Sequence, residues 1–133
     1  MSMLQKLIVV IPRCWGADTS VYAGTWRPAN AASGQCAVTA LVVEDFTGLK
    51  AVRGRVEFSN GHWLSHYWNE DSEGRVDLTA SQFAVPDLPV DFKYVPLPPE
   101  GGQSVHDYLL NAPATAGRYN LLKHRVLLAL GGC

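Results

Sequence analysis

Residues 33 to 46 constrain this fold more than any other stretch. Ala37, Val38, Ala40, Leu41, Val42 and Val43 occupy nearly every side of a 3.6-residue helix. Such a helix has no polar face to give to water, so the remainder of the chain must surround it. Ser33 is its expected N-cap, and Gly48 is placed to close it in the left-handed conformation. The expected element is a central, buried helix over Ser33 to Phe46.

The flanking segments supply what surrounds it. Ser2 to Ile11 reads as a helix capped by Ser2, and Pro12 argues against its continuation. Arg13 to Ser33 reads as a long ordered loop pinned by Trp15, Tyr22 and Trp26, and loops of that length usually do something. Asn60-Gly61 between Arg53–Ser59 and His62–Asn69 is a hairpin signal. A second turn over Glu70 to Gly74 leads to a third strand, Arg75 to Thr79. The Pro-rich stretch Pro86 to Pro99 holds an edge strand at Asp91 to Val95. Helices are expected at Ser104 to Leu110 and Thr115 to Leu130. There is no internal repeat and no boundary, so 1–133 reads as one α+β domain built on an antiparallel meander.

Composition excludes several function classes. Hydrophobic residues are 47% and charged residues 17%, which predicts a packed globule rather than disorder. The net charge is −1 with Lys and Arg scattered, so no nucleic-acid or anionic membrane surface is expected. Leu7 to Ile11, the longest strongly apolar run, is far short of the ~20 residues of a membrane span. The absence of a secretory pattern points to the cytoplasm. Cys14, Cys36 and Cys133 form no C-x-x-C pair and no disulfide framework.

Cys36 falls in the first turn of the central helix. Backbone N–H groups there lack intrahelical acceptors, and the helix dipole puts partial positive charge nearby. Both favour a thiolate, and the same N–H groups can donate to an oxyanion. A lone cysteine at such a place is as readily a small core residue. A nucleophile also needs a base and a group to orient the base. His66 and Asp77 have those types. If Ser59 pairs with His62, Arg55 falls opposite His66. A four-residue loop between Asn69 and Gly74 then sets His66 opposite Asp77, ~5 Å apart at Cβ on one face. Trp68 shares that face and can wall the site, and Arg55, Glu57 and Ser59 share it on the neighbouring strand. His62 is four residues along the same face, ~13 Å away, so His62 and His66 make no zinc pair. His106 and His124 read as surface or satisfied histidines. Trp63 and Tyr67 read as sheet packing.

The blocks Gly34-Gln35-Cys36-Ala37-Val38-Thr39-Ala40-Leu41, His66-Tyr67-Trp68-Asn69 and Val76-Asp77-Leu78-Thr79 resemble the YunG-like family of small bacterial proteins. Trp15 to Ser20 and Arg118-Tyr119 fit the same resemblance. More distantly, the order Cys, His, Asp is similar to that of papain-like and transglutaminase-like cysteine enzymes. That similarity implies a papain-like α+β fold, with a nucleophile helix on a small antiparallel sheet and a Cys36–His66–Asp77 triad. Gln35, Trp15, Trp68 and Asn69 are then the candidate oxyanion and substrate-binding residues, with the region Trp15 to Tyr22 as a source of the second donor.

The expected function is cysteine-dependent acyl transfer through a thioester: amidase, deamidase, peptidase or transglutaminase-like chemistry. The substrate would be a protein side chain or a small amide, and no metal or other cofactor is called for. The alternative is a binding or regulatory module that keeps the fold without catalysis. In that case Cys36 would be buried or His66 turned away.

Overall fold

The computed structural model describes residues 1–83 and 91–131. Helix α1 (Met3–Cys14) starts where expected because Ser2 and Gln5 form a reciprocal capping box. It continues through Pro12, contrary to expectation. The donor that Pro12 lacks is the one for the Ile8 carbonyl, and Ile8 is 50% exposed, so solvent can satisfy that carbonyl.

Residues 15–35 form the expected loop, with two 3-10 turns at Ala17–Thr19 and Pro28–Asn30. Trp15 Nε1 donates to Thr39 Oγ1 and Trp26 Nε1 to the Ala31 carbonyl, each at 3.0 Å. Tyr22 does not pin the loop; it is exposed.

Helix α2 (Cys36–Thr47) begins two residues later than a Ser33 cap predicts. Gly34 turns with φ +72°, and a Cβ there would stand 2.3 Å from Ser20 Oγ. Gln35, not Ser33, is the N-cap residue, and Cys36 becomes the first residue of the helix. Its other end is as read: Gly48 has φ +79° and donates its N–H to the Glu44 carbonyl at 2.8 Å. Val38 to Val43 are all buried.

Strands β1 (Lys50–Phe58), β2 (Trp63–Asp71), β3 (Gly74–Val76) and β4 (Phe92–Pro96) form an antiparallel sheet in the order β3-β2-β1-β4. Two registers differ from expectation. Phe58 donates to the His62 carbonyl at 2.8 Å, so the first hairpin has a three-residue loop with Gly61 at φ +90°. This one-residue slip sets Gly54, not Arg55, opposite His66. It moves Arg55 and Glu57 to the other face, and Ser59 falls in the turn. The second hairpin is tighter than expected, with Asp71 opposite Gly74. Asp71 Oδ1 accepts the Glu73 and Gly74 N–H groups at 2.8 and 3.0 Å and closes it. A shift of two residues preserves parity, but β3 stops at Val76 and Asp77 lies in the turn beyond it.

Helix α3 (Val105–Leu110) is capped by Ser104, and α4 (Pro113–Gly131) starts on Pro113. The main core joins α1, α2 and α4 to one sheet face through Leu7, Ile11, Leu41, Leu122 and Val126. Asp45, at the end of α2, ties that helix to α3 and α4 by accepting from His106 Nε2 (2.8 Å), Lys123 Nζ (2.9 Å) and the Tyr119 hydroxyl. His106 is thus a satisfied histidine, and His62 and His124 are exposed. The opposite sheet face carries a smaller aromatic core of Val56, Phe58, Phe83 and Tyr94. Among the described residues no helix is long and apolar enough to cross a membrane. The expected edge strand is β4, beside β1; the first part of the Pro-rich stretch, residues 84–90, and Cys133 lie outside the described residues.

Candidate functional site

Cys36 is held at the helix start by what precedes it. Gly34 makes the left-handed turn, and Gln35, fully buried, fixes that turn to the loop. Gln35 Oε1 accepts the Thr19 hydroxyl at 2.8 Å and Gln35 Nε2 donates to the Gly16 carbonyl at 2.9 Å. Thr19 and Ser20 are buried too, so this part of the loop is joined to α2 by a polar network. Arg125 on α4 clamps it from outside, with two bonds to Asp18 at 2.5 and 2.9 Å. The first intrahelical bond runs from the Thr39 N–H to the Gln35 carbonyl at 3.0 Å, so the Cys36, Ala37 and Val38 N–H groups precede it.

His66 lies on the aromatic face, 1% exposed. Its Nε2 meets Asp77 Oδ2 at 2.7 Å, leaving Nδ1 as the ring nitrogen for Cys36. Trp68 stacks beside the imidazole with centroids 5.9 Å apart, and Phe83 meets it edge-on at 4.9 Å. Gly54 makes the room: a Cβ there would stand 2.4 Å from Trp68 Cη2 and 2.3 Å from the Val95 carbonyl oxygen. Burial disfavours the imidazolium. Hydrogen bonds with Asp77 and Cys36, and the charges of both, outweigh it and push the His66 pKa up to about 9 from 6.5.

Asp77 reaches His66 from the turn, not from the expected cross-strand position. Its Oδ1 accepts the Thr79 N–H and hydroxyl at 3.1 and 3.0 Å, and its Oδ2 also accepts the Tyr94 hydroxyl at 2.7 Å. Burial alone would raise this carboxyl, but His66 first, then Tyr94 and Thr79, hold it below its ordinary 3.8. Imidazole and carboxylate are thus hydrogen-bonded to each other, and Cys36 is the second group whose side chain raises the imidazole pKa.

The remaining candidates take different places. Trp68 walls the imidazole, and its Nε1 donates to Glu70 at 2.6 Å. Trp15 packs on α2 through Thr39, one turn beyond Cys36. Asn69 is buried on the opposite sheet face, with its amide donating to the Ala40 and Leu49 carbonyls at 2.9 and 3.0 Å. It is a tie between helix and strand. Sequence reasoning missed Thr79, Phe83 and Tyr94. Asp77-x-Thr79 is a recognisable local turn signal; for Phe83 and Tyr94 there is no comparable signal. An open groove of about 650 Å³ at the hairpin end is lined by Arg55, Glu57, Trp63 and Phe92, and neither Cys36 nor His66 lines it. Cys14 is buried, and burial pushes its pKa up. Among the described residues no group of three or more His, Cys, Asp or Glu is arranged to hold a metal ion.

Comparison with known proteins gives relatives rather than a reaction. The chain is 29% identical over 93 residues to "Uncharacterized protein YunG" of Bacillus subtilis (strain 168), covering 70% of this chain and 71% of that one. No solved structure matches. The family described as YunG protein matches residues 3–131, which takes in the cysteine, the histidine and the aspartate of the site. The chain belongs to the YunG family.

Proposed function

We propose that this protein is a cysteine-dependent acyl-transfer enzyme with a papain-like arrangement of nucleophile helix and sheet. The observation that carries the reading is the series Cys36, His66, Asp77, with the cysteine at the first position of α2. The Cys36 thiolate attacks the carbonyl carbon of an amide. The oxyanion that forms is taken by first-turn N–H groups of α2. The His66 imidazolium, oriented through Nε2 by Asp77, gives its proton to the leaving amine, and a thioester remains. Water or a second amine, deprotonated by His66, resolves it. Gln35 has spent Oε1 and one N–H on the loop, and the second N–H of its amide is the donor we assign to the oxyanion beside those of the helix. The substrate class is a protein side chain or small amide.

The test is trapping with an electrophilic acyl probe, read by peptide mass spectrometry. The expected result is an adduct on Cys36 in the folded protein, absent in Cys36→Ala and slowed by roughly 10² in His66→Ala. A Cys36 that reacts only after unfolding would refute the proposal. The burial of His66 favours a second reading, a binding module on the same fold, and that outcome would select it.

A further inference from the structure

Tyr94 belongs to none of the motifs, and β4 lies at the sheet edge opposite β3. Its hydroxyl nevertheless donates to Asp77 Oδ2 at 2.7 Å, the same oxygen that His66 Nε2 meets at 2.7 Å. The other carboxylate oxygen is taken by Thr79. Trp68 packs against the Tyr94 ring at 5.1 Å and Phe92 at 5.8 Å. The Arg75 guanidinium lies 3.7 Å from its centroid. A phenol so enclosed has a fixed position for its O–H.

We infer that Tyr94 is a positioning residue which, through Asp77 Oδ2, sets the orientation and basicity of His66 toward Cys36. Its catalytic meaning rests on the acyl-transfer reading above. Two donors on one carboxylate oxygen share its electron density. With the phenol in place, Asp77 stabilises the imidazolium less than it would alone, so the proton is released to a leaving group more readily. The Arg75 cation draws density from the ring and makes the hydroxyl a stronger donor. The groups facing His66 are Cys36 from α2, Asp77 from the turn after β3, and Tyr94 from β4. Arg75 stands over Tyr94 and Glu70 holds Trp68. Tyr94 alone among the three facing groups can lose its interaction without removing the nucleophile or a charge.

The experiment follows the His66 imidazole by NMR titration, alongside the pH profile of Cys36 alkylation. Tyr94→Phe should raise the His66 pKa by roughly half to one pH unit, since only part of a hydrogen bond to a charged group passes on to the imidazole. Tyr94→3-fluorotyrosine keeps the ring and strengthens the donor, so it should lower that pKa; it also serves if Tyr94→Phe does not fold. The pH at which Cys36 alkylation rises should move the opposite way, because a more basic His66 holds its thiolate partner to lower pH. If both variants leave the His66 titration where the wild type has it, Tyr94 is only a tie across the sheet and the inference is overturned. A wild-type Cys36 that fails to react would overturn the acyl-transfer reading alone, because the His66 titration still decides the role of Tyr94.

Discussion

Replacing Asp77 by Asn keeps the shape of the side chain and removes the charge beside a buried imidazole. His66 has a folded pKa of about 9 against 6.5 ordinarily. A raised pKa contributes stability that is fully present below 6.5 and is lost as pH climbs through 9. At 1.36 kcal/mol per pH unit the loss amounts to about 3 kcal/mol. Asp77 works in the other direction. Its pKa is depressed, so its contribution is present above its unfolded value and fades only in acid. Between pH 6.5 and 9 the decline is therefore set by His66. In Asp77→Asn the burial of the ring remains while its strongest partner is gone, so the His66 pKa should fall by roughly 2 pH units. Urea unfolding from pH 5.5 to 10 for both proteins, with NMR titration of the imidazole, measures this. The difference in stability should be largest near pH 6 and shrink toward pH 9. A wild-type His66 that titrates at or below 6.5, or a difference that stays flat with pH, would refute the reasoning.

Three other outcomes follow from the packing. Gly54→Ala should cost about 2 kcal/mol or more in urea unfolding, because the new methyl meets backbone at Val95 as well as Trp68. Trp68→Phe in the same chain removes the colliding Cη2 and should recover part of the loss; full additivity would contradict the collision. Thr19→Val preserves shape but strands Gln35 Oε1 in a buried site, and should lower stability by about 1–3 kcal/mol in the same assay. Cys14 should resist iodoacetamide in the folded protein at pH 8 and react once urea unfolds it; labelling at the rate of a free thiol in the native state would contradict its burial.

The central helix was legible because six consecutive residues, Val38 to Val43, leave it no exposed side. Its start was misjudged because Ser33 is a good cap by type, while Gly34 has a left-handed turn that type alone does not reveal. Cys36, His66 and Asp77 came forward through chemistry, but the second loop length was wrong by two residues and β3 ends at Val76, so Asp77 meets His66 from the turn and not from the cross-strand position that parity had given it. The first hairpin was wrong by one, which exchanges the faces of a strand, and Arg55 and Glu57 moved off the site for that reason. Tyr94 was out of reach because a sequence states that a segment is a strand, not which edge it joins. Its contact with Asp77 exists because β4 pairs with β1 while Asp77 approaches from beyond β3.

The loop before Cys36 owes its order mainly to hydrogen bonds rather than to apolar burial. From Val21 to Ala29 nearly every side chain is exposed, while Thr19, Ser20 and Gln35 beneath are buried and bonded to one another or to the loop backbone. Segments of this kind open at a fraction of the free energy needed to unfold the whole domain. A protease should therefore nick the chain between Val21 and Ala29 while the helices and sheet remain intact. Partial opening would bare the start of α2 to large molecules without dismantling the core, so access to the thiol can be governed by a local equilibrium separate from global stability.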